Sequence, residues 1–121
     1  GDLSNLTLVP TEPIAELAPG QIRVAIRAAG LNFHDVVVAL GAIPDEGMGA
    51  EAAGVVVDTA SDVTALRPGD AVMGLFPNNA FAPTAGTDQG MVVAIPPGLS
   101  FAQAASVPVA FLTAYIALVE L

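Results

Sequence analysis

His34 is the only histidine of the chain, and imidazole is the one side-chain type that ordinarily gains and loses a proton near neutrality. It sits in the run Asn32-Phe33-His34-Asp35, which combines an amide, an aromatic ring, a proton donor and a carboxylate. Such a set could orient an amide or carbonyl group through Asn32 and deliver a proton from His34 as a general acid. Each residue also has a plainer use. Asparagine is a common helix cap, an imidazole can pack on a helix surface, and Asp35 can stabilise a helix start through the helix dipole. Thr113 offers a hydroxyl to a ligand or to its own helix backbone. Glu51 is expected to cap or pair within the barrel that the strands below predict, rather than to catalyse.

Other chemistries are closed by composition. The chain has no cysteine, so disulfides, thiolate catalysis and cysteine-ligated zinc are excluded. Twelve carboxylates stand against three arginines, Arg23, Arg27 and Arg67, for a net charge of −9. That balance repels nucleic acid, whose binding relies on cations that neutralise phosphates. It also leaves few partners for a pyrophosphate, so a phosphate-bearing ligand should be gripped elsewhere. The lack of cysteine and the absence of a signal-like start over Gly1 to Pro13 fit a cytoplasmic protein.

The elements that must position these residues can be read from pattern. At 121 residues the chain is one domain in size, and 54% hydrophobic residues argue for a packed core, although 23 alanines inflate that share. Gln21 to Arg27 alternates, with Ile22, Val24 and Ile26 on one side, as a half-buried strand does. Pro19-Gly20 before it is a turn signal and Ala29-Gly30 closes it. Phe33, Val36, Val37 and Leu40 fall at helical spacing, with Gly41 placed as a C-cap glycine. The run Val36-Val37-Val38 weakens that helix, because β-branched side chains lose χ1 freedom there. Further strands are expected at Gly54 to Val57, Ala71 to Phe76 and Met91 to Ile95, with a Pro68-Gly69 turn between the first two. Gly74 should mark a bulge or a close backbone approach.

Short strands divided by Pro/Gly turns predict a mainly β fold, a barrel or sandwich. The tail is helical instead. Ser100-Phe-Ala-Gln103 has capping-box spacing, and Pro108 should end one helix or begin another. Phe111, Leu112, Tyr115, Ile116 and Val119 then recur at helical spacing. The uncharged stretch Gln89 to Val119 is broken by prolines, and its longest apolar piece falls short of the roughly 20 residues that a bilayer span needs. No membrane partner is therefore expected.

Four segments, taken in order, carry a resemblance. They are Ala28-Ala-Gly-Leu-Asn-Phe-His-Asp35, Gly49-Ala-Glu-Ala-Ala-Gly-Val-Val56, Pro68-Gly-Asp-Ala-Val72 and Ala105-Ser-Val-Pro-Val-Ala-Phe-Leu-Thr-Ala-Tyr115. Their order and spacing resemble the medium-chain dehydrogenase/reductase superfamily. Within it the chain looks most like enoyl reductase domains of modular polyketide synthases, including those that build the long-chain waxes of mycobacteria. The resemblance implies a GroES-like, partly open barrel with short helices over residues 1–99. Linker helices over 100–121 then lead toward a Rossmann domain that is absent from the chain. No G-x-G-x-x-G occurs here, so the phosphate site of the implied cofactor, NADPH, is expected outside it.

The implied reaction reduces the α,β double bond of an enoyl thioester held on an acyl carrier protein, within a larger synthase whose neighbouring domains are partners. Asn32, Phe33 and His34 correspond to a loop that faces nicotinamide and substrate, and Thr113 to a segment beside the nicotinamide ring. Asn32 and Thr113 are thus expected to bind cofactor and to face one cleft. Phe33 and Ile43 are expected to line the substrate pocket, and His34 and Asn32 are the catalytic candidates.

The chain also departs from its relatives. Polyketide enoyl reductases often carry Arg at the place of His34, which fits a packing role equally well. Some relatives carry a proton-donating tyrosine where Ile43 stands. Zinc-dependent members place Cys at Asn32 and His at Ala50, beside a glutamate matching Glu51, so the resemblance implies a zinc-independent reductase with no metal. A truncated quinone-oxidoreductase-like enzyme and a non-catalytic GroES-like docking module are the competing readings. An exposed apolar last helix would favour self-association.

Overall fold

The computed structural model describes residues 16–41 and 47–120, so Ile43 lies outside the described residues. Five strands form one antiparallel sheet: β1 (Gln21–Gly30), β2 (Glu51–Thr59), β3 (Ala71–Leu75), β4 (Thr84–Asp88) and β5 (Val92–Ala94). Three short helices, α1 (Phe33–Ala39), α2 (Phe101–Ala105) and α3 (Pro108–Tyr115), complete the described elements, with a π-helical turn over Ile116–Glu120.

The strand order β4-β1-β2-β3-β5 places β4 and β5 at opposite edges. In a flat sheet four strand spacings would separate them by roughly 19 Å. Only the 3-10 turn Gln89–Met91 joins Asp88 to Val92. Four residue steps reach at most about 14 Å even when fully extended, so the sheet must curl. The Thr87 hydroxyl on β4 accordingly donates to the Leu75 carbonyl on β3 at 2.8 Å, across the mouth of the curl. The outcome is the expected mainly β, partly open barrel.

The barrel interior is filled by Ile22, Val24, Val56, Val72, Phe76 and Val92. The β1–β2 register shifts twice, first past Val57 on β2 and then past Arg27 on β1, and the second shift turns Ala28 to the outer face. There Ala28 meets a second cluster of Ala53, Met73, Ala104 and Ala105, flanked by Phe101 and Val107. The small residues of β2 let α2 lie close on its outer face, so β2 is buried on both sides.

Local signals act where they stand in the sequence. Gly20 and Gly69 take positive φ in the two Pro-Gly turns, and Gly41 does so after α1. Ser100 and Gln103 exchange both capping-box bonds, at 3.1 and 2.9 Å. Pro108 is the first residue of α3, where its missing N–H costs nothing. At Gly74 the ladder is regular, and a Cβ would lie 2.1 Å from the Met91 carbonyl oxygen. Close approach is therefore the reason for that glycine, and the irregularities fall in the β1–β2 pairing instead.

The stretch Phe101–Val119 has the length and hydropathy of a membrane span. It is divided by the turn at Ser106 and Val107, and its first half packs against the sheet. The second half is bare: Phe111 is 67% exposed and Leu118 84%. Apolar patches of that kind associate. The 121-residue chain in solution should form oligomers through α3, and light scattering that finds only monomer at high protein concentration would contradict this.

Candidate active site

The end of β1, the start of α1 and the start of β2 meet around Asn32. Asn32 is the N-cap of α1, with extended backbone at φ −123° and ψ 164°. Asp35, three residues on, is 1% exposed. Its Oδ2 accepts the Asn32 main-chain N–H at 2.9 Å, and its Oδ1 accepts the Gly49 N–H at 2.8 Å. The Asp35 N–H donates to the Asn32 main-chain carbonyl at 3.0 Å, so the carboxylate half is the strong half of this capping box. Asp35 therefore clamps two loops together as well as starting a helix. Only glycine suits position 49, where φ is +99° and a Cβ would lie 2.6 Å from the Phe81 nitrogen.

Glu51 opens β2 and is 4% exposed. Its Oε1 accepts from Asn32 Nδ2 at 3.2 Å, and its Oε2 from the Val109 main-chain N–H at 2.9 Å. A carboxylate at the first turn of α3 satisfies an otherwise orphan donor and suits the positive end of the helix. Room for this side chain exists because residue 30 is glycine: a Cβ there would lie 2.2 Å from Glu51 Oε1. Expected to cap or pair within the barrel, Glu51 instead joins the barrel to the C-terminal helix. A chain of hydrogen bonds thus runs from Gly49 through Asp35, Asn32 and Glu51 to Val109.

The predicted site residues divide around this chain. Asn32 is half-buried within it, His34 is half-buried on α1, and Phe33 is 81% exposed. Thr113 is exposed on α3, one turn beyond Val109. None of these residues lines the apolar groove of about 370 Å³ between α3 and the β3–β5 edge, walled by Met73, Met91, Val93, Phe111 and Leu112. A larger polar hollow of about 500 Å³, holding the 3.3 Å Arg23–Asp58 ion pair, lies at the other end of β1. It is remote from Asn32 and takes no part in this site.

Sequence reasoning missed two roles, the Asp35 clamp and the Glu51 link. Asp35 had a local signal, since Asn32 and Asp35 have the same spacing as Ser100 and Gln103. Glu51 had none, because 58 residues separate it from Val109.

Comparison with known proteins agrees with this architecture. The model of the alcohol dehydrogenase GroES-like domain matches residues 18–116. The chain is 53% identical over 126 residues to the pikromycin polyketide synthase component PikAII of Streptomyces venezuelae, covering 100% of this chain and 3% of that protein. It resembles the structure of the CurK enoyl reductase with a TM-score of 0.92 and 32% identity, covering 100% of this chain and 40% of that one. It is also similar to the Escherichia coli quinone oxidoreductase complexed with NADPH, with a TM-score of 0.87 and 30% identity over 99% of this chain and 38% of that one. The chain thus spans a small part of the synthase and about two fifths of each reductase.

Proposed function

Because the chain belongs to the alcohol dehydrogenase GroES-like domain family, we propose that it forms the barrel lobe of an enoyl reductase within a modular polyketide synthase. The substrate is an α,β-unsaturated acyl thioester on an acyl carrier protein, and the cofactor is NADPH. The observation that supports this reading is the likeness of the whole chain to a solved enoyl reductase, joined to its 53% sequence identity to a segment of a polyketide synthase.

NADPH, when bound, supplies hydride to the β-carbon of the enoyl thioester. The protein's part is placement and proton supply. Asn32 and Thr113 hold the carboxamide end of the cofactor, with Asn32 fixed by Glu51 and Thr113 carried on the helix that Glu51 caps. Phe33, exposed at the start of α1, forms part of the acyl pocket, a role that the resemblance alone extends to Ile43, which lies outside the described residues. His34 donates the proton that the α-carbon takes up once the β-carbon has received hydride. The pyrophosphate is held outside this chain, consistent with its net charge of −9.

The test is to assay the longer protein that contains this segment for loss of reduced nicotinamide absorbance with an enoyl thioester on its carrier protein. Turnover with the thioester is expected, and the 121-residue chain alone should bind NADPH only weakly. Reduction of quinones without reduction of any enoyl thioester would replace this reading with the quinone-oxidoreductase one. Tight NADPH binding by the short chain would overturn the assignment of the phosphate grip.

A further inference from the structure

Glu51 spends both carboxylate oxygens on neutral donors from two different elements, the Asn32 side-chain amide and the Val109 main-chain N–H. A carboxylate can only accept, whereas a primary amide has a donating edge and an accepting edge. The amide orientation of Asn32 is therefore dictated by its neighbour: the NH2 edge must turn toward Glu51, which is 4% exposed. The opposing choice is barred at the other oxygen too, because a main-chain N–H cannot reverse its polarity.

We propose that Glu51 is a positioning residue that sets which hydrogen-bonding edge Asn32 presents to a ligand and couples that choice to the seat of α3. The proposal rests on Asn32 facing the cofactor or substrate, as assigned above. Its logic can be inverted with one atom. Glutamine at position 51 has a single acceptor, which the fixed Val109 N–H claims. Its NH2 then faces Asn32, and the Asn32 amide must rotate to bring Oδ1 inward. The fold keeps its helix cap while the group offered to the ligand changes from one edge of the amide to the other.

Two measurements test this in the complete reductase. The first compares Glu51→Gln, Asn32→Ala and the double variant by steady-state kinetics. Glu51→Gln should raise the KM for NADPH or lower kcat by roughly tenfold, the size of one mispaired hydrogen bond. In the Asn32→Ala background it should add almost nothing, because the amide it orients is gone. An undiminished effect in that background would overturn the proposal. The second measurement follows solvent exchange of the Asn32 side-chain amide by NMR. In the wild-type protein its exchange should be slower than that of exposed asparagine amides, and Glu51→Gln should remove the difference. Exchange in the wild type as fast as in exposed amides would overturn the proposal even if the variant does not fold. If the amide behaves as expected but no enoyl thioester is reduced, the positioning of Asn32 stands and the assigned reaction falls.

Discussion

Valine in place of Gly54 should strongly destabilise the barrel. Gly54 lies in the middle of β2, paired with Ile26 on one side and Val72 on the other. A Cβ built there would stand 2.1 Å from the Ala25 carbonyl oxygen and 2.8 Å from Val24 Cγ1. The first obstacle is backbone, and it cannot withdraw without breaking the β1–β2 ladder. Overpacking a core ordinarily costs about 1–3 kcal/mol; a collision with main chain in the central strand should reach or exceed that range. A domain of this size has a total stability of only about 5–15 kcal/mol. Gly86→Ala is the matched control, since its Cβ meets only the Ile22 carbonyl oxygen at 3.7 Å. Circular-dichroism melts should show a lost or strongly lowered transition for Gly54→Val and a nearly unchanged one for Gly86→Ala. Equal tolerance at the two sites would mean that β1 and β2 are not spaced as described.

The second large effect is expected at Asp35. Its carboxylate is 1% exposed and satisfies the main-chain N–H groups of Asn32 and Gly49. Asp35→Ala removes both acceptors and leaves two donors that no other group replaces. Each buried donor left unpaired costs roughly 1–3 kcal/mol, so the melting temperature should fall by on the order of 10 °C. Asp35→Asn should lie between, because it retains one acceptor and turns an NH2 group toward a donor. In the complete reductase the alanine variant should also lose turnover more than tenfold, since the Asn32 loop and the Gly49 loop are no longer held together. A melting temperature for Asp35→Ala within a degree or two of wild type would show that this clamp contributes nothing.

Much of the architecture was legible because its causes are local. The Pro19-Gly20 and Pro68-Gly69 turns, the capping box at Ser100 and the start of α3 at Pro108 each need only a few neighbouring residues, and each stands where its pattern put it. α1 forms despite Val36-Val37-Val38, as Asp35 secures its start and Gly41 its exit. β4 was not legible. Thr84-Ala-Gly-Thr-Asp88 has no large apolar residue to alternate, and it is a strand because β1 supplies the ladder and Leu75 accepts the Thr87 hydroxyl.

By itself, then, the sequence determined the turns, the strand faces, the helix caps and, through four ordered motifs, the family. Those are written within a few residues of one another or in residue types that only some backbones tolerate. Tertiary structure decided what Glu51 and Asp35 do, because their partners lie on other elements: 58 residues away for the Glu51–Val109 bond and 14 for Asp35–Gly49. A carboxylate shows in sequence that it will accept hydrogen bonds; only the curl of the sheet, bringing α3 and the two loops to one place, determines whose.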